Sequence, residues 1–138
     1  MTTAADPLPV LFAARGDVSD AEINRLHALA FDEVATNRPW TERLENYSLT
    51  WTTGRLDGEL VAFVNVLGDG GEHAILMDTM VAPRLQRSGA GTRLVDAAAT
   101  QARVLGCRWL HADYEPHLTP FCEGSCGMRS TRAGLLSL

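Results

Sequence analysis

A pair of glycines, Gly89 and Gly91, stands between an apolar run that ends at Val81 and a segment of helical periodicity that starts near Thr92. Without bulky side chains, these positions let the backbone turn sharply and come close to a ligand. The first N–H groups of a helix have no partner inside it, and the helix dipole adds positive potential there. A strand, a glycine turn and a helix start in this order therefore make a phosphate-binding place. Arg84, Arg87 and Arg93 lie in the same stretch, and no acid occurs between Thr79 and Val95. The whole chain carries a formal net charge of −5, so this concentration of positive charge is local.

Other phosphate loops fail on particular residues. A dinucleotide fingerprint needs a third glycine three residues after the second, where this chain has Leu94. A Walker loop needs Gly-Lys-Ser/Thr, and all twelve cationic residues here are arginine. The acidic balance argues against a nucleic-acid partner, since phosphate contacts need a basic face, and suits a cationic acceptor such as an amine. No run approaches the length of a membrane span. Residues 1–9 read as a loose tail without the basic and apolar regions of a secretory signal, and 1–138 reads as one domain. With an odd cysteine count (Cys107, Cys122, Cys126), a reducing, cytoplasmic setting follows. Cys122, Cys126, His111 and His117 do not have the spacing of a zinc site, so free thiols and no metal are expected.

The elements follow from pattern. Val10–Ala14 is a short strand. Ser19 and Glu22 form a capping box, flanked by a Val18/Ile23 staple, for a helix to about Phe31 with a stripe of Ile23, Leu26, Leu29 and Ala30. A shorter helix runs from Thr41 to about Asn46. Leu49–Leu56, Glu59–Leu67 and His73–Val81 are strands, joined by Asp57-Gly58 and by a turn at Asp69-Gly70-Gly71, and should form an antiparallel meander. Then come a helix from Thr92 to Leu105, a strand from Trp109 to Tyr114, a short helix from Pro116 to Ser125, and two short strands around Ala133-Gly134.

Gln86-Arg87-Ser88-Gly89-Ala90-Gly91 resembles the acyl-CoA pyrophosphate loop of the GNAT superfamily of N-acyltransferases, whose pattern is Gln/Arg-x-x-Gly-x-Gly/Ala; Val81 and Pro83 fit the usual strand exit. The order of elements, β-α-α-β-β-β-α-β-α-β-β, is that of the family, and Phe121–Met128 and Thr131–Leu135 resemble its C-terminal segments. The resemblance implies an α/β fold of the α+β kind, with a mixed sheet whose central strands splay. It implies acetyl-CoA as cosubstrate, with pantetheine bonded by the main chain of Thr79, Met80 and Val81. The pyrophosphate falls to the main chain of Arg87, Ser88, Gly89, Ala90, Gly91 and Thr92.

The implied reaction is direct attack of a primary amine, on a small molecule or a peptide, at the thioester. Cys122 stands where the family has a tyrosine acid, and Tyr114 is a substitute. The base candidates are His73, Asp78 and Glu115, with Glu115 preferred for its place at the strand end. Asp78 lies in an apolar run and needs a hydrogen-bond partner there. His73 and Val81 share a face if their strand is regular and part company if it is bulged. The acceptor pocket is expected from 31–47 and 118–138, with Trp40, Tyr47, Trp51 and Phe121 as lining. A non-catalytic, CoA-binding regulatory domain is the alternative. The oligomeric state is left open, a homodimer among the options.

Overall fold

The computed structural model describes residues 9–138; residues 1–8 of the expected loose tail lie outside it. Strands β1 (Leu11–Ala14), β2 (Thr50–Leu56), β3 (Glu59–Gly68), β4 (His73–Val81) and β5 (Trp109–His111) form one sheet in that order. The first four pair antiparallel, and β4 and β5 pair parallel. Helices α1 (Asp20–Phe31) and α2 (Trp40–Tyr47) cover one face, where Ile23, Leu26, Trp40 and Leu44 bury against Val61, Phe63 and Met80. Helix α3 (Ala90–Val104) covers the other, with Leu94, Ala98 and Ala102 against Ala62, Val64, Val66 and Ala74.

Local chemistry sets these boundaries. Ser19 Oγ accepts from the Glu22 N–H while the Glu22 carboxylate accepts from the Ser19 N–H, so the capping box is complete. The same carboxylate accepts from Arg55 at 2.6 Å and thereby ties the start of α1 to β2. Leu29, expected on the buried stripe, is 49% exposed, while Asn24 is buried instead. Its Oδ1 accepts from Trp40 Nε1 at 2.9 Å, Thr36 Oγ1 at 3.0 Å and the Arg38 N–H at 3.2 Å, and its Nδ2 donates to the Arg38 carbonyl at 3.0 Å. One amide thus fixes the α1–α2 connection, and removing it strands buried donors. Asn24→Ala should lower stability by about 3 kcal/mol, or the melting temperature by roughly 10 °C, in a thermal melt.

The C-terminal third departs from expectation. Strand β5 stops at His111 rather than Tyr114, since the chain leaves the sheet there. Pro116–Ser125 is not one α-helix. It is a 3-10 turn (Pro116–Leu118) followed by a π-turn (Pro120–Ser125), with the Cys126 N–H on the Phe121 carbonyl at 2.9 Å. Pro120 has no N–H to continue a regular ladder. The two strands expected around Ala133-Gly134 do not form; residues 129–138 have no regular structure, and Leu135 and Leu136 are exposed. The apolar pattern alone did not supply a pairing partner.

Candidate functional site

Strands β4 and β5 share only three rungs: His73–Trp109, Ala74–Leu110 and Ile75–His111. Beyond Ile75 the pairing ends, so the edge of β4 from Leu76 to Val81 faces no strand and a wedge opens there. Strand β4 is also bulged. Between Asn65–Met77 and Phe63–Met80 it uses three steps against two on β3, and Asp78 takes a left-handed φ of 56°. The bulge exchanges faces. Ala74 and Leu76 pack towards α3 before it, whereas Val81 does so after it and Met80 turns to the α1 side. His73 and Val81 therefore lie on opposite faces. Asp78 receives the partner its position demanded: Asn65 Nδ2 donates to its Oδ2 at 3.3 Å, and Asn65 Oδ1 in turn accepts from Ser48 Oγ at 2.5 Å.

Past Val81, a 3-10 turn (Pro83–Leu85) leads into the glycine loop. Helix α3 begins at Ala90, two residues earlier than its periodicity suggests, with Gly89 as cap at φ 89° and Arg87 also left-handed at φ 64°. The first N–H to find a backbone acceptor is that of Arg93, on the Gly89 carbonyl at 3.1 Å; the Ala90 N–H reaches Ser88 Oγ at 3.4 Å. Among the described residues, the N–H groups of Arg87, Gly89, Gly91 and Thr92 have no acceptor within the protein. Gln86 Nε2 donates to the Val81 carbonyl at 3.3 Å, holding the loop to the strand end.

The arginines divide differently from their order in sequence. Arg84 pairs with Glu59 at 2.8 Å, and Arg93 reaches back to the Val10 carbonyl at 3.1 Å and lies over Phe12. Arg87 alone of the three has no ion-pair, hydrogen-bond or ring partner for its guanidinium among the described residues, and it is exposed at the loop.

The proton-transfer candidates also separate. His73 Nδ1 lies 2.7 Å from His111 Nε2, across the β4–β5 pair and on the face opposite α3. In the sequence His111 stands out only as a metal-ligand type of residue, because the parallel register that brings it to His73 is invisible before folding. Glu115 is exposed and caps the 3-10 turn. Cys122 is buried, and burial, followed by the Glu123 charge, pushes its thiol up; Cys126 is pushed up to about 11, first by burial and then by Cys122 and Asp96. Both stay protonated near neutral pH and are poor nucleophiles. Tyr114 donates to Glu123 Oε2 at 2.9 Å, and that bond, with lesser help from burial, raises its phenol above the usual range.

The expected aromatic pocket does not assemble. Trp40 is 1% exposed and bonded to Asn24, Trp51 is buried with Nε1 on the Gly16 carbonyl at 3.0 Å, and Tyr47 is 76% exposed. Phe121 lies instead at the start of α3. A cleft of about 110 Å³ opens by Arg15, Thr41, Leu44 and Trp51, away from the wedge.

A five-stranded mixed sheet with an open wedge and a glycine loop at a helix start defines an acyltransferase fold. The family model for the acetyltransferase (GNAT) family matches residues 19–127. The chain belongs to that family. No curated protein matches it in sequence. Among solved structures it is similar to an acetyltransferase from Trypanosoma brucei, at 17% identity over 94% of this chain and 100% of that one, TM-score 0.74. It is similar to glucosamine-6-phosphate N-acetyltransferase from Arabidopsis thaliana, at 16% identity over 93% and 98%, TM-score 0.71. It is also similar to an aminoglycoside acetyltransferase from an uncultured soil metagenomic sample, at 13% identity over 94% and 95%, TM-score 0.73. These similarities establish the fold. No described helix is long and apolar enough to cross a membrane.

Proposed function

We propose that the chain transfers an acetyl group from acetyl-CoA to a primary amine by direct attack. The observation that carries this reading is the wedge: strand pairing ends at Ile75–His111, and the freed edge of β4 runs straight to a loop of unpartnered N–H groups. The pyrophosphate is proposed to sit on the main chain from Arg87 to Thr92, with Arg87 adding charge. The amides of the arm would bond the main chain of Thr79, Met80 and Val81, as an added strand does. A strand advances about 3.3 Å per residue, so the six steps from Val81 back to Ile75 cover about 20 Å. That is comparable to an extended phosphopantetheine arm, and an arm so laid would have its thioester beside the last rung.

At that rung the His73–His111 pair is the base we favour over Glu115 and Asp78. Asp78 is already engaged with Asn65, and Glu115 lies past the end of β5. With one ring N–H donating to the other ring, a neutral pair keeps one free lone pair in either tautomer, on His73 Nε2 or on His111 Nδ1. An ammonium approaching on the face opposite α3 can give up its proton there. The flanking side chains Ile75, Met77 and Trp109 are 42%, 43% and 51% exposed, so this side of the wedge is uncovered. The remaining rate comes from holding the amine and the thioester together.

The test is thiol release from acetyl-CoA with a panel of amines, headed by amino sugars because two of the fold relatives are named for them. Release with at least one amine supports the reading; no heat on titration with CoA at millimolar concentration removes it. Cys122→Ala should keep most of the activity, and a trapped acetyl thioester on Cys122 would replace direct transfer by a two-step route. A non-catalytic CoA-binding domain is the second reading, favoured by Cys122 in the tyrosine's place. Binding of CoA without release across the panel selects it.

A further inference from the structure

The wedge is not open along its whole length. A Cβ built on Gly91 would lie 3.2 Å from Phe121 Cε2 and 3.3 Å from Phe121 Cζ, with Val81 Cγ2 at 3.8 Å. The tip of the Phe121 ring therefore lies against the first turn of α3, at the side of Gly91 that faces the last residue of β4. Phe121 itself hangs from the chain that continues β5. Its side chain thus reaches from the chain beyond β5 to the start of α3, beside the place where the end of β4 meets the glycine loop. An arm laid along Thr79–Val81 with its phosphates on the loop has to pass this point.

The backbone that carries Phe121 is irregular. Pro120–Ser125 is a single π-turn, a rare form, and a 3-10 turn, whose hydrogen-bond geometry is poorer than an α-helix's, precedes it. Pro116, His117 and Leu118 are exposed. The segment ends at Gly127, at φ 69°, and Gly124 within it has nothing within 4 Å of where a Cβ would stand. One side-chain hydrogen bond links the segment to the chain just beyond β5: Tyr114 to Glu123, at 2.9 Å.

We propose that Phe121 is a gate across the CoA channel, and that the Tyr114–Glu123 hydrogen bond is the latch that holds Pro116–Ser125 in the closed position. The proposal rests on the reading of the wedge as a CoA site. Cofactor entry then requires the segment to swing aside, and the free protein is mostly in a state that cannot bind. Apparent affinity is reduced by the fraction that is open.

The test is calorimetry and stopped-flow binding with CoA for the wild-type protein, Phe121→Ala and Tyr114→Phe, with amide hydrogen exchange on the ligand-free forms. Phe121→Ala should bind CoA about tenfold tighter, mainly through a faster association rate, because the closed state no longer blocks the channel. Tyr114→Phe should bind a few-fold tighter, and its amides from 116 to 126 should exchange faster without ligand, since the latch is gone while the ring remains. If the wild type binds CoA and a folded Phe121→Ala binds no tighter, the gate is wrong and the CoA reading stands. If Tyr114→Phe changes neither affinity nor exchange, the latch is wrong. If no form binds CoA, the underlying reading falls as well.

Discussion

Gly89→Val and Gly91→Val should each lose at least about a hundredfold in CoA affinity while the protein stays folded, and they should do so for different reasons. Gly89 caps α3 at φ 89° in open space. A β-branched residue there meets no neighbour but is forced out of the left-handed region, at a cost of about 1–3 kcal/mol. The relief is a reorientation of the loop, which turns the N–H groups of Gly89 to Thr92 away from a common point. Gly91 is already helical, and its difficulty is steric. A β-carbon there enters the contact with Phe121, and two further methyl groups fill the space between α3 and β4. Calorimetry with CoA and with dephospho-CoA, next to a thermal melt, separates loss of the site from loss of the fold. Wild-type affinity in both variants would make the loop a mere connection. Arg87→Ala should cost only about tenfold at most, as one exposed charge does.

Removal of the imidazole pair is the second large effect. His73→Ala with His111→Ala should lower kcat/KM for the amine by about a hundredfold or more, the usual weight of a positioned base. Each single variant should fall by less, because the remaining ring keeps a lone pair of its own. CoA affinity should hold, since neither ring belongs to the loop. Partial recovery by added imidazole would mark a lost proton acceptor, which a merely structural change does not give. Glu115→Gln and Asp78→Asn are the controls. Full activity in the double histidine variant, with loss in either control, would move the base to that carboxylate.

Much of the molecule was legible in the chain. The capping box, the Asp57-Gly58 hairpin and the strand at His73–Val81 came through because their signals are local. The glycine loop did too, although its helix begins at Ala90. What stayed hidden depends on register or on competition between elements. His111 meets His73 only through a parallel pairing between distant segments. Asn24 looks like a polar interruption of an apolar stripe until Trp40, Arg38 and Thr36 converge on it. Arg93, counted with the loop by its place in the chain, lies on the side of α3 that faces β1. The tail beyond Met128 shows the opposite error: its apolar residues suggested strands, yet a strand needs a neighbour to bond.

The extra residue in β4 makes the strand speak two phases. Up to Met77, a substitution at an even-numbered position is felt by α3; past Thr79, the odd-numbered position is felt there instead. Flattening the bulge with every residue kept would restore a single alternation and slide Met80 under α3 in place of Val81, carrying the mouth of the glycine loop half a repeat out of step. Asp78, left-handed and held by its hydrogen bond from Asn65, is thus a spacer whose conformation matters more than its charge. It lets the hydrophobic code of the sheet and the geometry of the loop vary without disturbing one another.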